Sequence, residues 1–475
     1  MASHAAISAA SWIAPRRRIG LCLFSLLGTI SQVGSSTAQD VADSSAPPVQ
    51  DPLQSSVTVT STDGTLSPQA THSLLLRHWQ KNYANTQTLA ILEELVTSQP
   101  LIAGNQVTLL YDGPQTVAAM RRAIATATNH VNLETYIFDE DSVGLQMAEL
   151  LMERQRAGIQ VNIIYDAVGT LGTPQAFFDR MLEAGIHLLA FNPVNPFKTH
   201  FPWELNQRDH RKLMVVDGRV AFTGGVNISS SYANSSLFRA RSSHTGEIGW
   251  RDTHVRIEGP AVAALQWEFI NHWAKQQAMS LNDGDFFPTQ NVAGNTLLRV
   301  LASEPDGEQE IYRAYLLAIR SARKTVHITM AYFAPDAYMV RALQDAAKRG
   351  VQVTLILPSV RESSLVFYAG HALYRDLMHS GIYLYQLQDA VLHAKTAVID
   401  SVWSTVGSAN MDARSFLHNH ELNVMVFDEA FGLAMESAFS EDLRLSDPLT
   451  MEQWEQRPWS DRVKEWLASR FTYWL

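Results

Sequence analysis

The sequence has almost no cysteine, and its basic residues do not outnumber its acidic ones. Among its 475 residues the only cysteine is Cys22, which lies in an N-terminal apolar stretch. A disulfide within the chain, a thiolate metal site and cysteine catalysis are therefore excluded. The formal net charge is −10, whereas a non-specific nucleic-acid binder needs a basic face. No nucleic-acid partner is expected, although a locally basic pocket is compatible with this balance.

The N-terminus has the pattern of an export segment. Three arginines at 16–18 precede a mostly apolar stretch, residues 19–33, and small residues follow at 36–38. This stretch is shorter than the ~20 residues that span a bilayer as a helix. We therefore predict that residues 1–38 form a signal peptide or an N-terminal membrane anchor, with the cleaved signal favoured. Either form would send the bulk of the chain across a membrane.

The rest of the chain contains an internal duplication. Residues 39–70 are rich in Ser, Thr and Pro, which predicts a flexible linker, and 71–103 predict a helical segment. A helix–strand–helix–strand pattern then occurs twice, beginning at Asp112-Gly113 and again at Asp306-Gly307. We predict an α/β fold with two similar α-β-α domains, 104–295 and 296–440, packed face to face, and a tail at 441–475 that is rich in Trp and Arg.

Both copies carry the motif H-x-K-x4-D. A lone His-x-Lys is uninformative, but here further residues match at equal offsets. The first copy has His210, Lys212, Asp217, Gly224, Gly225 and Asn227. The second copy has His393, Lys395, Asp400, Gly407, Ser408 and Asn410.

The spacing within the motif indicates which of its residues belong to the site and which have a structural role. Residues two apart on a strand share a face, so His and Lys should point into one site. The Asp follows the His by seven residues, or ~23 Å on an extended strand. Asp217 and Asp400 are therefore predicted to be turn residues. The returning strand should bring the small residues and the Asn beside His and Lys, where the backbone can approach a phosphate.

Each imidazole needs a second group that orients it. The candidates are Asp252 in WRDTHVRI and Glu421 in NHELNVMV, two segments that align with each other. Each carboxylate would lie on a strand that follows its own motif. Glu247 is a weaker candidate for the first copy because it breaks this alignment.

The paired motifs resemble the HKD signatures of the phospholipase D superfamily. Over about residues 104–440, stretches such as TYIFDEDSVG, HRKLMVVDGRVAFTGGVNIS and GSANMDARSFLHNHELNV resemble the bacterial cardiolipin synthases of that superfamily. The resemblance implies two phospholipase D-like domains with the active site at their interface. One departure is Gly225, where the second copy has the more usual Ser408.

By this resemblance, His210 is the nucleophile that forms a phosphohistidine and His393 is the acid and base. Lys212, Lys395, Asn227 and Asn410 would hold the phosphate oxygens. No metal or cofactor is expected, since the lysines supply the positive charge. The expected partners are phospholipid substrates and a membrane surface on the periplasmic side of a bacterial inner membrane. One chain holds both half-sites, so a monomer should suffice.

Three functions remain open. A cardiolipin synthase would transfer a phosphatidyl group to another phospholipid, with phosphatidylglycerol as acceptor by resemblance. An exported phospholipase D would use water, and a phosphodiesterase or nuclease would cleave nucleic acid. The acidic balance, the export segment and the aromatic tail favour a lipid substrate.

Several further features have two interpretations each. The tail could lie at a lipid interface or dock on the protein body, and the Pro-rich loop at 191–203 could rim the site or simply pack. Arg251 and Arg414 could bind a headgroup or pair with carboxylates. Scattered histidines are interpreted as surface or core residues rather than metal ligands: His244, His254, His371 and His418.

Overall fold

The two halves of the chain repeat one arrangement of strands. The computed structural model describes residues 57–193, 207–233, 249–276, 281, 285–305, 307–359 and 364–471. The export segment, the first part of the predicted linker, Glu247, His244 and most of the loop at 191–203 lie outside these residues.

The strands of the first half are β1 Val59–Ser61, β2 Gly64–Thr65, β3 Leu101–Leu110, β4 His130–Thr135, β5 Gln160–Asp166, β6 His187–Phe191, β7 Arg208–Asp209, β8 Leu213–Val216, β9 Val220–Gly224, β10 Trp250–Arg251 and β11 His254–Glu258. Its helices are α1 Pro68–Trp79, α2 Tyr83–Thr97, α3 Gly113–Ala125, α4 Ser142–Arg156, α5 Gln175–Glu183, α6 Ser230–Ala233 and α7 Ala261–Lys275.

The strands of the second half are β12 Thr296–Ser303, β13 Thr325–Met330, β14 Phe333–Ala334, β15 Gln352–Pro358, β16 Tyr383–Leu387, β17 Val391–Leu392, β18 Lys395–Ile399, β19 Trp403–Gly407, β20 Met411–Asp412, β21 Asn419–Phe427 and β22 Ser446–Pro448. Its helices are α8 Glu310–Ser321, α9 Ala337–Lys348, α10 Ser364–His379, α11 Ala413–Leu417, α12 Glu429–Arg444, α13 Met451–Glu455 and α14 Trp459–Ala468.

The strand order confirms the α/β duplication. The first half runs β6-β5-β4-β8-β9-β11-β3, and the second runs β16-β15-β13-β18-β19-β21-β12 in the matching order. The expected face-to-face packing is confirmed, because one buried apolar cluster contains Val215 and Ala221 of the first half together with Val406 and Val424 of the second. The halves also join edge to edge, because β3 pairs with β12 through Asn105–Thr296 and Ile102–Leu298.

Local sequence explains where the matching helices begin. Asp141 accepts hydrogen bonds from the Val143 and Gly144 amides at the start of α4, and Asp336 accepts one from the Met339 amide at the start of α9, the matching helix of the second half. Such caps satisfy amides that have no partner within the helix. The central strands β4 and β8 are buried along their whole length, as expected for strands covered by helices on both faces.

The predicted linker at 39–70 is wrong in its last part. Val59 of β1 is fully buried and pairs in parallel with Leu101 of β3, and the side chain of Ser67 caps α1. A Ser/Thr-rich segment therefore adds a strand to the sheet through its valines. The helical segment at 71–103 is helical through Thr97, and β3 begins before its end.

The C-terminal tail docks on the protein body, which is one of its two predicted interpretations. Its helix α14 docks on α10, with Ala468 buried and Lys464 Nζ 3.1 Å from the Tyr368 hydroxyl. It also exposes Trp459 and Trp466. Within the described ranges, no helix combines the length and apolar character needed to cross a membrane.

Candidate active site

Two short strands, one from each half, pair with strands of the other half and thereby position the motif histidines. The strand before His210, β7, pairs with β21 of the second half, and the His210 amide donates to the His420 carbonyl at 3.0 Å. Reciprocally, β17 before His393 pairs with β10 of the first half, and the His393 amide donates to the Arg251 carbonyl at 2.8 Å. Each motif therefore begins against a strand of the other half that holds or directly precedes a carboxylate: β21 contains Glu421, and β10 directly precedes Asp252.

The exchange determines which carboxylate each imidazole contacts. His210 Nδ1 lies 3.0 Å from both carboxylate oxygens of Glu421. His393 Nδ1 lies 2.7 Å from Asp252 Oδ2. Contact between these carboxylates and the imidazoles is confirmed, but the expected pairing within each half is wrong. Because both Nδ1 atoms are engaged, each Nε2 is the nitrogen that can meet a substrate.

Burial controls the charge of the His210–Glu421 pair. Both side chains are buried. Desolvation lowers the pKa of His210 to about 4, although the Glu421 carboxylate opposes this shift. Glu421 has a pKa lowered to about 2, because attraction to His210 outweighs its burial. At neutral pH the pair is a neutral imidazole held by a carboxylate, which is the state that a nitrogen nucleophile requires.

Both motif lysines are buried beside their histidines. Lys212 Nζ donates to the His210 carbonyl at 2.6 Å, and Lys395 Nζ donates to the His393 carbonyl. Desolvation lowers the pKa of Lys212 to about 7, with repulsion from Lys395 adding to it. The two lysines therefore face a common region, where a phosphate diester would favour their charged forms.

The two motif asparagines have different environments. Asn227 is engaged at both ends of its amide: Oδ1 accepts from the Ile137 amide at 3.1 Å, and Nδ2 donates to the Tyr232 hydroxyl at 2.7 Å. Asn410 is also buried, but its Oδ1 has no hydrogen-bond partner in the described part of the chain. Phosphate binding by either residue stays a prediction.

The Asp of each motif lies in a turn, as predicted. Asp217 and Asp400 adopt left-handed backbone conformations, with φ of 55° and 53°. The Asp217 carboxylate accepts hydrogen bonds from three consecutive amides at 128–130, and that of Asp400 accepts from the three amides at 323–325. Both residues fasten the hairpin of the motif to the start of the neighbouring strand.

The small residues after each motif make room for protein groups. The amides of Gly225 and Ser408 already donate to the carbonyls of Thr253 and Leu422. A Cβ on Gly225 would lie 2.1 Å from Asp252 Oδ1. The expectation that this backbone approaches a phosphate is therefore wrong.

The same holds one residue earlier in each half. A Cβ on Gly224 would lie 2.6 Å from His254 Nδ1, and one on Gly407 would lie 2.2 Å from Asn423 Cγ. The two glycines thus let β11, which follows Asp252, and β21, which carries Glu421, pack closely.

Aromatic rings that the sequence did not single out surround the imidazoles. The Tyr136 ring lies 5.2 Å from that of His210. The rings of Tyr232 and Trp250 lie 5.4 and 5.1 Å from that of His393. These rings lie directly after β4, in α6 and in β10. Their contact with the imidazoles could not be predicted from the sequence without knowing how the short strands pair between the halves.

A buried cluster of titratable groups lies behind His210. Ligand atoms of Glu134, Asp209 and His272 lie within 4.8 Å of one another, a spacing that could hold a metal ion. Beside them, the buried Arg211 contacts Glu304 at 3.3 Å. Burial raises the pKa values of Glu134 and Asp209, and the charge of Arg211 partly opposes this rise. A guanidinium in this position supplies the positive charge that a cation would otherwise bring.

Three of the residues with two predicted interpretations pack as structural groups. Arg251 is buried and makes a bidentate ion pair with Asp442 at 2.7 and 2.8 Å, which favours the carboxylate-pairing interpretation. His254 and His371 are core residues whose pKa values burial lowers to about 3 and about 4.

Comparison with known proteins agrees with this architecture. The family model described as "Cardiolipin synthase, PLD-like domain" matches residues 120–239 and 315–443. A cardiolipin synthase of Listeria monocytogenes is 34% identical over 77% of this chain and 74% of its own length. The major cardiolipin synthase of Bacillus subtilis is 32% identical over 76% and 73%.

A solved structure repeats the fold. The phosphatidylserine synthase of Haemophilus influenzae superposes with a TM-score of 0.59 at 13% identity, over 81% of this chain and 97% of that one. The duplicated sheet and the paired motifs define an enzyme of the phospholipase D superfamily. Within that superfamily, the chain belongs to the cardiolipin synthase family with phospholipase D-like domains.

Proposed function

We propose that this enzyme transfers a phosphatidyl group from one phospholipid to the headgroup hydroxyl of another, with phosphatidylglycerol as the acceptor. The observation that carries the proposal is the reciprocal pairing of two buried imidazoles with two carboxylates, His210 with Glu421 and His393 with Asp252. The relatives of this chain that are named cardiolipin synthases support phospholipids as the substrate class.

In the first step, Nε2 of the neutral His210 attacks phosphorus. The bond from phosphorus to the leaving alcohol oxygen breaks, and that oxygen takes the Nε2 proton of His393. The result is a phosphatidyl group on His210 and a free alcohol, which is glycerol if phosphatidylglycerol is the donor. Glu421 stabilises the positive charge that develops on His210.

In the second step, the acceptor hydroxyl gives its proton to His393. The acceptor oxygen then attacks phosphorus, and the bond between phosphorus and His210 breaks. Asp252 holds the His393 ring for both proton transfers. Lys212, Lys395 and the motif asparagines bind the phosphate oxygens, whose charge grows in each transition state.

A hydrolytic phospholipase D would follow the same first step and admit water to the second, so product analysis separates the two functions. Purified protein is incubated with phosphatidylglycerol in detergent, and the products are followed by mass spectrometry. We expect cardiolipin and glycerol. Phosphatidic acid without cardiolipin would establish the hydrolase instead. No lipid product, together with cleavage of a nucleic-acid diester, would establish the nuclease.

The C-terminal helix supports a membrane surface as partner. Its exposed apolar residues recur at helical spacing along one side of α14 and just beyond it: Trp459, Val463, Trp466, Leu467 and Phe471. Arg462, Lys464 and Arg470 lie in the same segment. Tryptophan combined with cations is typical of a helix that lies on an anionic lipid surface.

A matched pair of variants tests this surface. Trp466 and Trp267 are exposed to the same degree, 58% and 57%, but Trp267 lies on α7. Trp466→Ser should weaken co-sedimentation with vesicles of phosphatidylglycerol and phosphatidylethanolamine, whereas Trp267→Ser should not. Equal binding by both variants and the parent would remove α14 from the membrane contact.

A further inference from the structure

Arg251 lies where the two halves meet, directly before the carboxylate that contacts His393. Its guanidinium makes the bidentate ion pair with Asp442, which belongs to α12 of the second half. Arg251 Nη1 also donates to the carbonyl of Tyr111, a residue of the first half, at 2.7 Å. The Tyr111 hydroxyl donates to the same Asp442 carboxylate at 2.8 Å. We call these three residues the arginine clamp, and its ion pair is buried.

The clamp holds the main chain around both members of the Asp252–His393 pair. Arg251 Nη1 donates to the Asp252 carbonyl at 2.6 Å and to the Thr253 hydroxyl at 2.7 Å. The Arg251 carbonyl accepts the His393 amide at 2.8 Å. Arg251 is therefore fastened to the segment that carries the carboxylate and to the segment that carries the imidazole.

A guanidinium suits this position because its planar fork presents several N–H donors in fixed directions. A lysine has a single point of charge, so it could not bind Asp442 and the neighbouring carbonyls together. An error of about 1 Å in the position of a reacting group can cost about 10²-fold in rate. The placement of Asp252 therefore matters for proton transfer by His393.

The matching position of the second half has no such clamp. His420 lies directly before Glu421, and its carbonyl accepts the His210 amide at 3.0 Å, so the main-chain contact is the same in both halves. Burial, however, lowers the pKa of His420 to about 2, so its ring is uncharged at neutral pH. Its Nδ1 has no hydrogen-bond partner among the residues that the structure describes. The multidentate contact thus belongs to the half-site of His393 alone among these two positions.

We propose that Arg251 is a positioning residue for acid–base catalysis: it fixes Asp252, and Asp252 fixes the imidazole of His393. The inference rests on the proposed role of His393 in phosphatidyl transfer and adds the group that sets its orientation. His393 exchanges a proton twice, with the leaving alcohol and with the entering one, so both steps need its Nε2 in one place. Arg251 is buried and acts through Asp252.

Two donors separate this role from a general loss of structure. Phosphatidylglycerol needs a proton on its leaving alcohol, whereas phosphatidyl-p-nitrophenol releases a stable phenolate without one. Single-turnover measurements with excess full-length protein report the first step for each donor. Arg251→Lys should slow glycerol release about 10²-fold and nitrophenolate release no more than about twofold. Equal slowing with both donors would overturn the inference.

A second buried arginine supplies the matched control. Arg299 pairs with Glu93 and donates to the Ala90 carbonyl of α2, so Arg299→Lys should cost stability without changing the ratio of the two rates. Asp442→Asn is a second test variant, which serves even if Arg251→Lys fails to fold. Its carboxylate contacts the other clamp residues, so it should change the ratio in the same direction as Arg251→Lys. An equal change in Arg299→Lys would contradict the inference.

A double variant tests whether the effect passes through Asp252. If it does, adding Arg251→Lys to Asp252→Asn should slow glycerol release little further, because the two substitutions remove one function. Rate losses that multiply in full would overturn the inference.

Hydrogen exchange makes the test independent of turnover. In Arg251→Lys, amides in the segments 249–254 and 391–395 should exchange faster than in the parent, whereas Arg299→Lys should leave them unchanged. Unchanged exchange in Arg251→Lys would overturn the inference, even if cardiolipin is formed. Faster exchange there, in a protein whose parent forms no lipid product, would leave the hold of Arg251 on Asp252 standing and refute the proposed function.

Discussion

The two halves of the molecule share one backbone plan but surround their histidines with different chemistry. Behind His210 lie Asp209 and Arg211, both buried and polar. At the matching positions beside His393 lie Leu392 and Ala394, both buried and apolar. Each half has therefore specialised, although the strand order and the His-x-Lys spacing are the same.

The difference indicates that the duplication keeps the groups that both steps of the proposed reaction would need. Each half retains an imidazole, a lysine and a carboxylate contact that the other half supplies. The groups that differ are those that would touch unlike substrates or tune unlike roles. Similar backbones with different surrounding side chains are expected when one site transfers a phosphate group between two different alcohols.

The largest expected difference between the halves is in covalent labelling. His210→Ala should prevent formation of a phosphoenzyme, because the neutral imidazole that attacks phosphorus is lost. His393→Ala should still form it with a donor whose alcohol leaves without a proton, while turnover of phosphatidylglycerol falls about 10²–10⁴-fold. Trapping with phosphorus-labelled donor measures both. Label retained in His210→Ala would reverse the roles of the two halves.

Because His210 contacts a carboxylate of the second half, a substitution in the second half should change the pH dependence that His210 sets. Glu421→Gln removes the carboxylate that raises the pKa of His210, so that pKa should fall below its value of about 4. Since His210 must be neutral to attack, the acid limb of kcat/KM should move to lower pH, with a rate loss of about 10²-fold at neutral pH.

Asp252→Asn is the matched control for this shift. It removes the carboxylate of the other dyad, so activity should fall while the acid limb keeps its position. The pairing would be refuted if Asp252→Asn moved the acid limb and Glu421→Gln did not.

Much of this site could be predicted from sequence because its signals are local. The His-x-Lys alternation, the Asp turn and the alignment of Asp252 with Glu421 all depend on residues that are near in sequence or repeated. The register supports that alignment, since Gly224 pairs with His254 as Gly407 pairs with Asn423.

The exchange between halves could not be predicted in the same way. It depends on the two-residue strands β7, β10 and β17, whose partners lie far away in the sequence. Such short segments carry no periodicity, and their pairing follows from the joined sheets. The environment of Gly225 was unpredictable for the same reason, because the carboxylate that fills it belongs to a separate strand.

The turn carboxylates should affect stability in both halves. Asp217→Asn removes a charged acceptor of three amides and the Thr128 hydroxyl, and Asp400→Asn removes one that accepts from three amides. Each should lower the free energy of unfolding by about 1–3 kcal/mol, measured by urea denaturation. The fraction that folds should turn over nearly normally. A fully stable but inactive Asp217→Asn protein would show that this carboxylate takes part in the chemistry.

The smallest expected effect is at Ser408, where the halves differ by one hydroxyl. Its Oγ accepts from the Leu422 amide at 2.9 Å, and it helps to keep the pKa of Glu421 low. Ser408→Gly gives the second half the residue that the first half has. It should lower stability by about 1 kcal/mol and raise the pKa of Glu421 without neutralising it at pH 7. The neutral-pH rate should therefore stay within a few fold.

The reverse change should be far more harmful. In Gly225→Ser the new Cβ would lie 2.1 Å from Asp252 Oδ1, so the carboxylate that holds His393 must move. Comparing kcat and the urea midpoint of the two variants tests this asymmetry. If Gly225→Ser were as mild as Ser408→Gly, the position of Asp252 would be less restricted than its close packing against Gly225 implies.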